Sequence, residues 1–92
     1  MAGSIMVVDD DPALLGFTSK YLSRLGYTVA AHRSAEEAWK RFSEPEANYS
    51  VVVIDVTLPG LSGVQLSRMM LESSPRVHLI LTSGYPYHRP TV

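Results

Sequence analysis

Four short stretches dominated by aliphatic residues recur along the chain, at residues 5–8, 27–31, 49–54 and 77–81. Each is bounded by polar or turn-forming residues and is too short for a typical helix, which favours a strand. Continuous apolar runs without strict alternation are typical of strands that are buried on both faces of a parallel sheet. The hydrophobic pattern therefore predicts four strands.

The segment between the first two strands carries a helical pattern. Asp11 and Pro12 predict the N-cap and the first residue of a helix, and Gly26 lies where its C-terminal cap belongs. The side chains at helical spacing in this segment are Leu14, Thr18, Tyr21, Leu22 and Leu25, with Leu15 close by.

Two further helices are predicted. Ser34 and Glu37 have the spacing of a capping box and open the second helix, which ends before Pro45. The third helix covers residues 64–73 and follows a loop at 56–63 that contains one Pro and two Gly. The apolar faces of the two helices carry Ala35, Ala38, Trp39 and Phe42 in the second and Leu66, Met69 and Met70 in the third.

Strands and helices thus alternate, which predicts an α/β, doubly wound fold around a mostly parallel sheet. The 92 residues are enough for one domain. Right-handed crossovers place the carboxyl ends of all strands on one edge of such a sheet. Ligands of open parallel sheets bind at that edge, so the residues that follow the strands are the candidates for function.

Carboxylates follow two of the predicted strands. Asp9, Asp10 and Asp11 come after the first strand and Asp55 ends the third, while Thr82 ends the fourth. If these strands are neighbours, Asp9, Asp10 and Asp55 converge, and their mutual repulsion destabilises the fold unless a cation is bound. Mg²⁺ suits a site of one or two carboxylates, a backbone carbonyl and waters. Helix capping already explains Asp11.

The composition excludes several other classes of function. The net charge is −1, from eight Lys and Arg against nine Asp and Glu, so nucleic acid and anionic membranes are not expected as partners. The absence of cysteine excludes disulfides and thiolate metal sites. The apolar runs are too short to span a bilayer, and we expect a cytoplasmic protein.

Three segments together resemble the response-regulator receiver domains of two-component signalling. They are VVDDDP at 7–12, VVVIDVTLPGLSG at 51–63 and LILTSG at 79–84, and their order and separation also match. The resemblance implies a flavodoxin-like fold with strand order 2-1-3-4. It further implies a phosphoacceptor rather than an enzyme, with a sensor histidine kinase or phosphotransfer domain as the phosphoryl donor.

The resemblance also implies a role for each site residue. Asp55 matches the phosphoacceptor aspartate, and Mg²⁺ would be bound by Asp10, Asp55 and the backbone carbonyl of Thr57. Asp9 would act on the metal through a bound water. Thr82 would form a hydrogen bond with a phosphoryl oxygen.

The sequence departs from the family at its C-terminal end. It stops before the family's fifth strand and last two helices, which carry a lysine that contacts the phosphoryl group and an aromatic switch residue. We therefore expect residues 1–92 to form a truncated receiver domain. Its fourth strand becomes an apolar edge that favours self-association. Three explanations are open: a fragment of a longer protein, a short form that pairs with another chain, or a tail at 85–92 that partly covers the edge.

Two other functions remain open. The fold could serve as a protein-binding module without phosphotransfer, which the missing lysine favours. The spacing of Asp9 and Asp11 also fits the first motif of haloacid-dehalogenase phosphatases, although Ala13 stands where that family usually has Thr or Val.

Overall fold

The computed structural model describes residues 3–82, and in this range strands and helices alternate as predicted. The elements are β1 Ser4–Val8, α1 Pro12–Arg24, β2 Thr28–His32, α2 Ala35–Phe42, β3 Val51–Asp55, α3 Gly63–Ser73 and β4 His78–Thr82. Strands β2 and β4 each lie one residue later than predicted, and β3 begins at Val51 and not at residue 49. The prediction of seven alternating elements is otherwise confirmed for this range.

The strands form a parallel sheet with the order β2-β1-β3-β4. In the register of this sheet Val8 lies beside His32 on one side and beside Ile54 on the other. Asp55 lies beside Thr82. The carboxyl ends of β1, β3 and β4 therefore meet at one edge, and the predicted flavodoxin-like order is confirmed.

The two faces of the sheet are covered unequally. The larger core cluster lies under α2 and α3, where Met6, Ile54, Leu66 and Met70 are completely buried. Trp39 and Phe42 stack at this core with 6.1 Å between ring centroids, as anchors of α2. The smaller cluster lies under α1 and consists of Ile5, Val7 and Leu15, with partly buried neighbours.

Helix α1 buries a different face from the one its apolar residues suggest. Leu14, Tyr21 and Leu25 are 41%, 58% and 56% exposed, whereas Leu15 is buried and Leu22 packs against the smaller cluster. The backbone of the helix lies close to β1 and β2 and farther from β3 and β4. Because it rests on the sheet through Leu15 and Leu22, seven residues apart, most of the remaining apolar residues point away from the described core.

The helix ends follow the capping signals, with one difference. Asp11 is the N-cap of α1, and Gly26 has a φ of 101° just beyond the helix, as expected for a glycine that ends it. The Ser34 side chain accepts the Glu37 N–H at 3.2 Å, but Glu37 does not return the bond, because its carboxylate lies 4.0 Å from His32. The prediction of a complete capping box at the start of α2 is therefore only half right. The box forms at α3, where Ser62 and Gln65 exchange both bonds (3.1 and 3.2 Å).

β4 is an edge strand of the described sheet, with Ile80 and Leu81 51% and 46% exposed. Ser83 and Gly84, together with the tail at 85–92, lie outside the described residues, so a covering role of the tail stays a prediction. None of the helices within residues 3–82 combines the length and hydropathy that crossing a bilayer requires.

Candidate functional site

Three carboxylates meet at the carboxyl edge of the sheet. Asp9, Asp10 and Asp55 each offer an oxygen atom, and these atoms all lie within 4.8 Å of one another. The proximity follows from topology, because β1 and β3 are adjacent parallel strands that end at Val8 and Asp55. Asp55 is 3% exposed, while Asp9 is half-buried and Asp10 is exposed. The structure therefore brings together the residues that the sequence predicts to converge.

A tight turn fixes the carboxylate of Asp9 as the chain passes from β1 to α1. The Asp9 N–H donates to the carbonyl of His32 at 3.1 Å, which extends the β1–β2 ladder by one residue. The Asp9 Oδ1 accepts the N–H of Asp11 at 2.9 Å. Asp11 in turn accepts the N–H groups of Ala13 and Leu14 at 2.9 and 3.4 Å. The third aspartate thus caps α1, as predicted, and does not join the cluster.

The buried carboxylate of Asp55 is held by its near neighbour Thr57. The Thr57 N–H and hydroxyl both donate to Asp55 Oδ1, at 2.9 and 2.7 Å. Within residues 3–82, the hydrogen bonds to this carboxylate all go to Oδ1, so its rotation is fixed and Oδ2 accepts none of them. The sequence interpretation assigned only the carbonyl of Thr57 and missed its hydroxyl. The available signal was a threonine two residues after an aspartate, because an aspartate side chain commonly accepts a hydrogen bond from the backbone two residues on.

Thr82 stands on the neighbouring strand at the same edge. It is the register partner of Asp55, and its carbonyl accepts the N–H of Val56 at 2.9 Å. This hydrogen bond fixes the backbone of Thr82 next to the end of β3. Thr82 itself is exposed.

Among the described residues, no cationic side chain forms an ion pair with the carboxylates of the cluster. Within residues 3–82, the charged contacts are Arg41 with Glu44 and, when His32 is protonated, His32 with Glu37, and neither includes these aspartates. Burial raises the pKa of Asp9; the Asp11 N–H lowers it, and the charges of Asp55 and Asp10 raise it further. The cluster is therefore under electrostatic repulsion that a bound cation would relieve.

The donor atoms suit a hard divalent cation. All are carboxylate oxygens, which Mg²⁺ prefers, and two ligands of one Mg²⁺ at about 2.1 Å each lie at most about 4.2 Å apart. The three carboxylate oxygen atoms lie within 4.8 Å of one another, so a small movement of the side chains would bring them into this range. The residues present therefore fit a magnesium site.

Comparison with known families agrees with this geometry. The family model described as response regulator receiver domain matches residues 5–89. Protein PetR of Rhodobacter capsulatus is 35% identical over 79 residues, which cover 86% of this chain and 32% of PetR. The chain thus spans about a third of the length of that relative.

Solved structures show the same fold. The response regulator protein TrrA of Thermotoga maritima, in complex with Mg²⁺ and BeF, is 30% identical with a TM-score of 0.83. The match covers 94% of this chain and 72% of TrrA. TrrA in complex with the histidine kinase ThkA also matches, at 30% identity and a TM-score of 0.83 over 99% of this chain and 76% of that chain. The carboxylate cluster, the parallel sheet of order β2-β1-β3-β4 and these similarities lead to one conclusion: this chain belongs to the response regulator receiver domain family.

Proposed function

We propose that Asp55 accepts a phosphoryl group from a phosphohistidine on a sensor histidine kinase or phosphotransfer domain. The observation that carries this proposal is the meeting of Asp9 and Asp10 with the buried Asp55 at the carboxyl edge of the sheet. The similarity to TrrA, which has been crystallised both with Mg²⁺ and BeF and with a histidine kinase, supports it. The domain would act as a phosphoacceptor and not as an enzyme on free substrates.

In the transfer step, an oxygen of the Asp55 carboxylate forms a bond to phosphorus while the bond between phosphorus and the donor nitrogen breaks. The electron pair of the broken bond stays on the donor imidazole, which takes up a proton from solvent. Thr57 supports the step because its two hydrogen bonds to Oδ1 fix the orientation of the carboxylate before the donor arrives. Within residues 3–82, Oδ2 accepts no hydrogen bond, so it would be the oxygen available to form the bond to phosphorus.

The other site residues would hold the metal and the phosphoryl group. Asp10, Asp55 and the carbonyl of Thr57 would bind Mg²⁺ directly, and Asp9 through a water. A bound Mg²⁺ supplies positive charge that offsets the repulsion between the carboxylates and the incoming phosphoryl oxygens. The Thr82 hydroxyl would donate to one of those oxygens, since Thr82 is the register partner of Asp55.

A second candidate function is protein binding by the same fold without phosphotransfer. The observation that favours it is the exposure of Ile80 and Leu81 on β4, the edge strand of the described sheet. Such a strand could pair with a partner or with a second copy of this chain. This candidate predicts no covalent label on Asp55 under any donor condition.

The experiment that separates the two candidates is labelling with radioactive acetyl phosphate in the presence of Mg²⁺. The protein should incorporate label, and Asp55→Asn should abolish incorporation. Asp11→Asn is the matched control, because it makes the same change in charge at an aspartate outside the cluster, and asparagine still caps a helix. An unlabelled wild-type protein, or label that survives in Asp55→Asn, would contradict the assignment of Asp55.

A further inference from the structure

A side chain from α2 reaches the loop that connects β3 to α3. The Oε2 atom of Glu36 accepts the backbone N–H of Leu61 at 3.1 Å, although the two residues are 25 positions apart. Gly60, just before Leu61, has a φ of 70°, a conformation that favours glycine. A Cβ at Gly60 would lie 3.0 Å from the same Oε2 atom, so the glycine also gives the carboxylate room to approach. We call this contact the Glu36 clamp.

The loop that the clamp holds also carries Thr57. At its start, Thr57 is tied to Asp55 by two hydrogen bonds, and the buried side chain of Leu58 packs in the larger core. At its end, Ser62 caps α3. Within the described residues, the clamp is the side-chain hydrogen bond that joins the backbone between Leu58 and Ser62 to another element. The Leu61 side chain also packs against the larger core, so the clamp adds a backbone restraint to a residue that is already partly held.

We propose that Glu36 is a positioning residue for the metal site, because it restrains the β3–α3 loop, which carries the Thr57 carbonyl that the proposed function assigns to Mg²⁺. This inference rests on the proposed function and adds a residue to it. Mg²⁺ demands near-ideal octahedral geometry, so a backbone ligand on a mobile loop binds it more weakly than one held in place. The Glu36 carboxylate suits the task because it makes a charge-assisted hydrogen bond from the first turn of a helix.

The adjacent Glu37 provides the comparison that isolates this role. Both glutamates lie in the first turn of α2, where negative charge interacts favourably with the helix dipole. The carboxylate of Glu37, however, lies near His32 and not at the loop. A helix-dipole role predicts equal effects for the two residues, whereas the clamp predicts an effect for Glu36 alone.

Four variants test the clamp in the full chain: Glu36→Ala, Glu36→Asp, Glu36→Gln and Glu37→Ala. Asp keeps the charge but shortens the reach by one methylene, while Gln keeps the reach and an acceptor oxygen. We expect Glu36→Ala and Glu36→Asp to weaken Mg²⁺ binding about fivefold, which corresponds to ~1 kcal/mol, as followed by amide chemical shifts. Glu36→Gln should retain most of the affinity, and Glu37→Ala should match the wild type. The phosphorylation rate should recover at saturating Mg²⁺ in all four.

A second readout needs no metal. Hydrogen exchange of the Leu61 amide in the metal-free protein should be faster in Glu36→Ala and Glu36→Asp than in the wild type, at unchanged global stability. Normal exchange and normal Mg²⁺ affinity in both variants would overturn the clamp, as would equal losses in Glu37→Ala. A rate defect that persists at saturating Mg²⁺ would also overturn it. If the wild type itself binds no Mg²⁺, the proposed function fails, and with it the role of Glu36 in the metal site, whatever the exchange rate of Leu61.

Discussion

Replacing Asp9 with Asn should stabilise the metal-free protein, although the residue belongs to the candidate metal site. The carboxylate oxygens of Asp9, Asp10 and Asp55 lie within 4.8 Å of one another. Two unit charges at this distance repel by about 0.9 kcal/mol even at the dielectric constant of water. Asp9 has two such neighbours, and we expect solvent and salt to reduce the total relief to about 1 kcal/mol. Asparagine retains an oxygen that can accept the Asp11 N–H, so the turn into α1 should persist.

The assays are urea and thermal unfolding at neutral pH, in metal-free buffer and at saturating Mg²⁺. A gain of this size should raise the melting temperature by about 4–8 °C for a domain of this length. Asp11→Asn is the control, since Asp11 caps α1 outside the cluster. At a Mg²⁺ concentration a hundredfold above Kd the wild type should gain about 2.7 kcal/mol. Asp9→Asn should gain less stability from Mg²⁺, so it should no longer be more stable than the wild type.

The same variant has a pH signature. Because the pKa of Asp9 is raised in the folded state, chiefly by burial, the folded protein holds this proton more tightly than the unfolded chain. The contribution of Asp9 to stability therefore falls as pH rises from its ordinary pKa through the raised value. The fall should be present in the metal-free wild type and absent in Asp9→Asn. If Asp9→Asn is no more stable than Asp11→Asn without metal, the repulsion inferred for the cluster is wrong.

Three further predictions concern the scaffold. Burial lowers the pKa of His32, so its contribution to stability should be complete above pH ~6.5 and decline as pH falls below that value. Urea midpoints measured between pH 5 and 7 should show this decline in the wild type and a flatter profile in His32→Leu. An equally steep decline in His32→Leu would contradict this assignment. Gly63→Ala should destabilise the protein and impair Mg²⁺ binding, because a Cβ there would collide with the Asp55 carbonyl. Among the described residues, a Cβ at Gly16 in the middle of α1 would meet no atom within 4 Å, so Gly16→Ala should stabilise the protein by about 0.5–1 kcal/mol. Equal thermal shifts in the two glycine variants would contradict this assignment.

The sequence by itself determined the elements and the edge at which the site forms. Local signals were sufficient where the interactions are local: Asp11 caps α1, Gly26 ends it, and the apolar run before Asp55 becomes β3. The alternation of strands and helices then placed the carboxyl ends on one side, which predicts that Asp10 and Asp55 meet. The resemblance to receiver domains added the strand order and a role for each residue.

Only the tertiary structure decided which groups act on one another across the fold. It turned α1 so that Leu15 faces the sheet and Tyr21 does not, because the helix rests on β1 and β2. It drew Glu37 toward His32, which left the capping box at Ser34 half formed. It also brought Glu36 to the loop after β3. Sequence periodicity reports which side chains share a face of one element, but the partner of that face depends on packing between distant segments, and the local pattern does not encode it.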